Sequence, residues 1–148
     1  MGNCIRIAAI PAEDLPAVEA VAERLFKRFS DRFPDETDWS ELLEKIKAGS
    51  QQLWLVYDGD DAIALALTFL EGNAKKTCVI SHCAGARHEQ WTGQLLATIR
   101  VWSNSLGSTK LEIVARPGWE RVLRPFGMVK TLVILELKDD GQEKQPNL

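Results

Sequence analysis

One continuous stretch, Cys78 to Met128, decides the fold: CVISHCAGARHEQWTGQLLATIRVWSNSLGSTKLEIVARPGWERVLRPFGM. It predicts an apolar strand, a turn, an amphipathic helix, a second strand and a short helix. Apolar residues at steps of three and four mark one face of the long helix, namely Trp91, Leu95, Ile99, Trp102 and Leu106. Gly107 predicts where this helix ends, and Pro117 opens the short helix. Strand, helix, strand, helix is typical of an α/β layer.

The segments on either side continue this pattern. The predicted elements are, in chain order, a strand over 4–9, helices over 15–29 and 39–48, a hairpin with strands over 53–57 and 62–70, strands over 76–84 and 110–115, and a last strand over 129–137. We therefore expect one α/β domain over residues 1–138, in the order β-α-α-β-β-β-α-β-α-β. Its sheet should be mixed and twisted, with helices on both faces. Residues 139–148 are predicted to form a polar C-terminal tail.

Composition and charge exclude several classes of function. The 148 residues suffice for one domain with its own core. No run approaches the roughly 18 apolar residues of a membrane span, and the N-terminus lacks the pattern of a secretory signal. A formal net charge of −3 argues against general binding to nucleic acid. Neither a membrane nor a nucleic acid is therefore an expected partner.

The cysteines and histidines predict no metal site. Cys4, Cys78 and Cys83 lack paired metal-ligand spacing, and we expect them to be reduced, buried, small apolar residues. His82 and His88 are the only histidines, and no CxxC motif occurs.

The element order and two local motifs resemble the GNAT superfamily of N-acetyltransferases over residues 4–137. The segment IRI (5–7) ahead of PAEDLPAV (11–18) is similar to the family's first strand and helix start. The segment FGM (126–128) is similar to the one that closes its last helix. The resemblance implies a loop of pattern Arg/Gln-x-x-Gly-x-Gly/Ala after the fourth strand. Backbone N–H groups of that loop bind the coenzyme A pyrophosphate.

This sequence departs from that loop pattern. When the long helix is aligned, Arg87 takes the first loop position, and Gln90 and Thr92 take the two glycine positions. A rival register that starts at Gln90 keeps Gly93 but shortens the helix by about one turn. Neither register restores the glycines that let phosphates approach the backbone, so no cofactor is expected. If acetyl-coenzyme A binds after all, Gly85 and Arg87 are its candidate contacts.

The resemblance also implies a tyrosine four residues before the closing glycine, as general acid to the leaving thiolate. Leu123 stands at that position, and Tyr57, the only tyrosine, falls on a predicted hairpin strand. His82 on the fourth strand is the candidate general base, because imidazole titrates near neutral pH. The alternative is that His82 is a half-buried strand residue that makes one hydrogen bond.

Three further features are similar to the small GNAT-like proteins of tailed bacteriophages and prophages. They are QLWLV (52–56) before an Asp-Gly turn, Thr68, and RPGWER (116–121). Several proteins of that group are virion or assembly components. This resemblance implies a non-catalytic phage or prophage protein that acts through protein–protein contact, in the cytoplasm of a bacterial host or in a virion. The alternative is an acetyl-coenzyme A-dependent N-acetyltransferase with a degenerate cofactor loop.

Arginines around a tryptophan form the candidate interaction surface, which consists of Arg116, Trp119, Arg121 and Arg124. Tryptophan and arginine are enriched at interaction hot spots, and the segment follows a strand end, where open α/β sheets bind ligands. The expected partner is another virion protein or a second copy of the chain. The alternative is that Trp119 packs in the core while the arginines are solvated.

Overall fold

The computed structural model describes residues 4–33, 37–133, 135 and 137. Its strands are β1 (Ile5–Ile10), β2 (Gln52–Asp58), β3 (Asp61–Glu71), β4 (Thr77–Gly85) and β5 (Lys110–Ile113). They form one sheet in the order β1-β2-β3-β4-β5. The first three neighbouring pairs are antiparallel, and β5 runs parallel to β4. The predicted mixed sheet, with its fourth and fifth strands as parallel neighbours, is confirmed.

The described residues form four α-helices, namely α1 (Leu15–Arg28), α2 (Trp39–Lys47), α3 (Thr92–Ser105) and α4 (Gly118–Leu123). The first three lie between strands, and α4 follows β5. Short 3-10 turns precede, follow or link them at Ala12–Asp14, Ser30–Arg32, Asn73–Lys75, His88–Gln90 and Arg124–Phe126. The sequence predicts the long helix from about Glu89 to Leu106, but α3 begins later, at Thr92. Arg87 takes a left-handed conformation with φ of 57°, and a separate 3-10 turn follows it. A short turn of this kind commonly precedes an α-helix.

The two faces of the sheet carry separate apolar cores. Successive side chains of a strand point to opposite faces, so Leu53 and Leu55 pack with α1 and α2, whereas Trp54 and Val56 pack with α3. All four side chains are buried. Helices thus cover both faces, as the sequence predicted.

The predicted last strand over residues 129–137 is not formed in the part of the chain that the structure describes. Residues 129–133, 135 and 137 are in neither helix nor strand, and residues 134 and 136 lie outside the described residues. The alternating pattern there favours an extended conformation, but a strand also needs a neighbour to accept its backbone hydrogen bonds. The predicted tail, residues 139–148, lies wholly outside the described residues.

The cysteines differ from one another in burial. Cys78 and Cys83 are buried, and burial raises the pKa of their thiols to about 11 and about 12. A hydrogen bond to Ser103 offsets part of the shift at Cys78. Cys4 is exposed, which corrects the expectation that all three are buried. It lies just before β1, where no helix covers it.

Neither a metal site nor a membrane-spanning helix was found among the described residues. Among them, no group of three or more histidine, cysteine or acidic residues is arranged to hold a metal ion. Within the same residues, no helix is long and apolar enough to cross a membrane.

Gly85 at the end of β4 should tolerate no side chain. A Cβ there would lie 2.1 Å from the Cβ of Ala64 and 2.6 Å from the carbonyl oxygen of Ile63, both on the neighbouring strand. We expect Gly85→Ala to lower the free energy of unfolding by about 1–3 kcal/mol or more, because the strands must move apart. Gly118→Ala is the matched control, since nothing lies within 4 Å of a Cβ at that site. Urea denaturation of both variants tests this, and an equal loss in both would contradict it.

Candidate functional site

The strands β4 and β5, at one edge of the sheet, part beside a bulge about halfway along β4. Their pairing covers Thr77–Ile80 on β4 and ends with the N–H of Val114 donating to the carbonyl of Ile80 at 3.0 Å. On the other side of β4, Leu67 pairs with His82 but Thr68 pairs with Ile80, so Ser81 is an extra residue. Such bulges redirect side chains and end pairing. Beyond this point, no described strand pairs with the β5 side of β4.

His82 lies directly after this bulge. It is 3% exposed and faces α1 and α2, where its ring packs edge-on against Phe33 at 5.1 Å and also approaches Phe26. Its Nδ1 lies 2.9 Å from Oγ of Ser81, whose hydroxyl donates to the carbonyl of Leu67 at 3.3 Å. In the tautomer with its proton on Nδ1, the ring donates to this hydroxyl. His82 is therefore more deeply buried than the half-buried alternative supposed.

Residues 30–33 form a strap across the parted strands on the α1 and α2 face. The guanidinium of Arg32 donates to the carbonyl of Gly85 at 3.0 Å, at the end of β4. The Nε of Arg116, just beyond β5, donates to the carbonyl of Phe33 at 2.9 Å. Phe33 is buried and stacks on Phe26 with ring centroids 4.9 Å apart. The strap is thus bonded to both strands where they separate.

The loop between β4 and α3 lies at the other end of the site. Arg87 forms an ion pair with Asp58 at 2.8 Å, so its side chain is held at the β2–β3 hairpin. Thr92 is buried, and its hydroxyl donates to the carbonyl of His88 at 2.7 Å. No side chain of the described residues caps α3. The first N–H groups of this helix consequently have no side-chain acceptor at the N-cap.

Of the two candidate cofactor contacts, Gly85 packs against β3 and Arg87 pairs with Asp58. Their role in binding coenzyme stays a prediction. The contacts with β3 and with Asp58 already explain, without a ligand, why these two residue types stand at these positions.

A cleft of about 670 Å³ separates this loop from α4. Its lining residues are His88, Pro117, Gly118, Glu120, Arg121, Val122 and Arg124. Arg121 and Arg124 are exposed, and Arg124 also forms an ion pair with Glu120 at 3.2 Å. The cleft is on the α3 side of the sheet, opposite the strap.

The four residues of the predicted interaction surface do not form one patch but lie in three different places. Trp119 is half-buried and packs on the α3 core, with its ring centroid 6.4 Å from that of Trp91. Arg116 is bonded to the strap, whereas Arg121 and Arg124 line the cleft. The structure thus favours the packed alternative for Trp119. Contact of these residues with a partner stays a prediction.

Three residues of the site were not predicted from the sequence, namely Arg32, Phe33 and His88. Arg32 and Phe33 reach β4 and Arg116 across more than fifty residues of chain. No local pattern signals such contacts. His88 was noted only as a missing metal ligand, although its position directly after the fourth strand already placed it beside the expected coenzyme loop.

Comparison with solved structures identifies the fold of this chain. An aminoglycoside acetyltransferase from an uncultured soil metagenomic sample is similar over 90% of this chain and 95% of its own, with a TM-score of 0.66 and 12% identity. The chain has the GNAT fold. A predicted acetyltransferase with acetyl-CoA from Clostridium acetobutylicum is similar at 15% identity, with a TM-score of 0.62 and coverage of 90% and 96%. Glucosamine-6-phosphate N-acetyltransferase from Arabidopsis thaliana shares the GNAT fold at 12% identity, with a TM-score of 0.64 and coverage of 92% and 99%.

These findings correct the functional prediction. No protein-family model and no curated protein matches the sequence, and no similarity to a phage protein was found among these structures. Of the three structures named above, two are acetyltransferases and one is a predicted acetyltransferase. The prediction of a non-catalytic phage or prophage protein is therefore wrong, and the comparisons favour the acetyltransferase alternative. The expectation of no cofactor is likewise not confirmed, because one of these GNAT-fold structures contains acetyl-CoA.

Proposed function

We propose that this protein is an acetyl-coenzyme A-dependent N-acetyltransferase whose coenzyme loop departs from the usual glycine pattern. The observation that carries the proposal is the parting of β4 and β5 directly after the Ser81 bulge, with a buried histidine at that point. The parting leaves backbone groups of β4 without a strand neighbour among the described residues. An extended ligand arm that contains amides can pair with such an edge.

The described residues fit a phosphate-bearing coenzyme on the α3 side. Thr92 was the main objection from the sequence, but its buried side chain is turned into the loop and bonded to His88, so it does not project over the start of α3. An uncapped helix start favours anions. Arg121 and Arg124 line the adjacent cleft and supply positive charge. Gln90 still stands where the family has its first glycine, which predicts a weaker cradle.

Acetyl-coenzyme A supplies an acetyl thioester, which an amine attacks with release of the coenzyme thiol. His82 is the residue suited to remove the amine proton. In the tautomer whose Nδ1–H donates to the Ser81 hydroxyl, Nε2 is the ring nitrogen that would accept the proton. The strap covers His82 on the α1 and α2 face, and Phe33 contacts its ring. Because the His82 ring faces α1 and α2, the acceptor amine would reach it past the strap, and the coenzyme would bind on the cleft side.

The described residues of α4 include no tyrosine at the position where the family has its general acid. Leu123 is buried at that position, and Tyr57 is held on β2 with the guanidinium of Arg6 4.3 Å from its ring centroid. The buried thiols of Cys78 and Cys83 are protonated at neutral pH because burial raises their pKa values to about 11 and about 12. They are therefore poor nucleophiles, since the thiolate is the reactive form. Direct transfer to the amine is consequently favoured.

Acetyl-coenzyme A binding should depend on the arginines of the cleft. We expect the double variant Arg121→Ala, Arg124→Ala to bind it at least ~10-fold more weakly, because each arginine can donate charge-assisted hydrogen bonds to phosphate. Isothermal titration at two salt concentrations measures this, and the wild-type affinity should fall as salt rises. Arg100→Ala is the matched control, since Arg100 is an exposed arginine of α3 outside the cleft lining.

The proposal as a whole is tested by thiol release from acetyl-coenzyme A in the presence of a panel of primary amines. Turnover with any amine supports it. A wild-type protein that neither binds acetyl-coenzyme A at millimolar concentration nor releases thiol would overturn it.

A further inference from the structure

Two arginines are bonded across the parted strands, next to the candidate general base. Arg32 belongs to the strap, and its Nη1 donates to the carbonyl of Gly85 at 3.0 Å. Arg116 follows β5, and its Nε donates to the carbonyl of Phe33 at 2.9 Å. The ring centroid of Phe33 lies 5.1 Å from that of His82. One arginine is thus the chain neighbour, and the other the hydrogen-bond partner, of the residue whose ring contacts His82.

The charges of these two arginines are not neutralised within the described part of the chain. The arginines Arg87 and Arg124 each form an ion pair with an acid. None of the ion pairs among the described residues includes Arg32 or Arg116, which bond to uncharged carbonyls instead. A positively charged site without an acid raises the local concentration of anions.

A third guanidinium adds to the positive charge at the strap. The Cζ atoms of Arg28 and Arg32 lie 5.0 Å and 4.9 Å from the centroid of the same Phe29 ring. Two groups this close to one ring centre are separated by no more than about 10 Å, which is one Debye length at moderate salt. Their fields therefore add in the space outside the strap.

Each of the two bonded guanidinium groups keeps a complete pair of donors for a ligand. A guanidinium carries its N–H donors in a rigid planar fork. The bond from Nη1 of Arg32 leaves the edge formed by Nε and Nη2, and the bond from Nε of Arg116 leaves the edge formed by Nη1 and Nη2. Either edge matches two oxygens of a carboxylate or a phosphate. Both residues are exposed, so a ligand can reach them.

We propose that the acceptor is a small primary amine with an anionic group, a carboxylate or a phosphate, which Arg32 and Arg116 bind while the amine nitrogen lies at His82. This inference rests on the proposed acetyltransferase function and names its substrate class. The arginines and the histidine are separated by little more than one phenylalanine residue, which favours a short molecule. An amine with several positive charges would be repelled.

Matched pairs of amines test the substrate class. Thiol release from acetyl-coenzyme A is measured with 4-aminobutyrate against 4-aminobutanamide, and with O-phosphoethanolamine against ethanolamine. The wild type should have a kcat/KM at least ~10-fold higher for the anionic member of one pair, because ionised groups form the stronger hydrogen bonds. The pair that shows this advantage distinguishes carboxylate from phosphate. Turnover in which neither anionic amine is preferred would overturn the inference and leave the acetyltransferase function in place.

Substitution of the arginines tests their role as specificity determinants. Arg32→Gln and Arg116→Gln should each lower the anionic-to-neutral ratio of kcat/KM at least ~5-fold, since glutamine can donate to a carbonyl but has no charge. Arg116→Lys should keep part of the ratio. Arg100→Gln is the matched control, because Arg100 is exposed on α3 at the other face of the sheet. A purely structural role would slow both amines of a pair equally, and an unchanged ratio in both glutamine variants would overturn the proposal.

Binding without coenzyme separates this inference from the proposed function. Isothermal titration of the wild type and of Arg116→Gln uses 4-aminobutyrate and O-phosphoethanolamine as ligands, at low and at high salt. Binding that weakens with salt and is lost in the variant supports the anion site even if no amine releases thiol, a result that would overturn the acetyltransferase function alone. Absence of both turnover and arginine-dependent binding would overturn the two proposals together.

Discussion

Replacing His82 with glutamine should lower kcat/KM for acetyl transfer by about 10²–10⁴-fold, the range that general base catalysis contributes. Glutamine keeps a side chain of similar length inside the aromatic cluster but cannot accept a proton near neutral pH. In the wild type, activity should rise with pH as the imidazole loses its proton. This limb of the pH profile should be absent in the variant. Steady-state kinetics between pH 5.5 and 9 on the same acetyl donor and amine measures both effects.

His88→Gln is the natural control for this substitution, because His88 is the only other histidine and lies exposed at the cleft. It should change the KM for acetyl-coenzyme A more than kcat, and it should leave the pH-dependent limb in place. A His82→Gln enzyme within ~3-fold of wild type, with an unchanged pH profile, would make His82 a packing residue only. The acetyltransferase function itself would survive that result.

The largest expected loss of stability is that of Trp54→Ala, at about 3–5 kcal/mol. Trp54 is 1% exposed in the centre of the sheet, its Nε1 donates to Oγ1 of Thr68 at 3.0 Å, and its ring packs edge-on against Trp102 at 5.2 Å. Truncation removes the apolar contacts and leaves the buried threonine hydroxyl without its donor. Because small domains are stable by only ~5–15 kcal/mol, the variant should unfold at much lower urea concentration.

Trp102→Ala provides the comparison, because Trp102 is the other half of the same ring pair but is only half-buried on α3. Its loss should be clearly smaller than that of Trp54, since less apolar surface returns to water. Equal losses would mean that the ring pair, and not the depth of burial, determines the cost.

The sequence predicted the elements well because periodicity depends on short-range geometry. Trp91, Leu95 and Ile99 recur on one helical face, and all three are buried. Leu106 followed the same spacing, but α3 ends at Ser105, and the side chain is 51% exposed. The strand predicted over residues 129–137 is not formed by the residues of that range that the structure describes, for another reason. A strand pattern describes one chain segment, whereas a strand exists only with a partner.

The site was less predictable because its contacts are long-range and depend on side-chain direction. Thr92 was judged from its residue type at a glycine position, and only the structure shows that its hydroxyl turns inward to His88. Arg87 was expected near phosphates, yet Asp58, 29 residues earlier, holds it elsewhere. His82 was predicted as the general base because the family resemblance implies such a residue on the fourth strand. The bulge that directs its ring could not be predicted from the sequence pattern.

The strap has a consequence for how the proposed activity should respond to acid and salt. Its two ties join arginine side chains to the backbone carbonyls of Gly85 and Phe33. A guanidinium stays protonated at any pH that an enzyme meets, and a peptide carbonyl does not titrate. Acidification therefore leaves both ties closed, and ionic screening acts on them less than on a pair of opposite charges. Acceptor access on this side should be constant across the pH range, so the titration of activity reports the chemistry of His82 and not the opening of the strap.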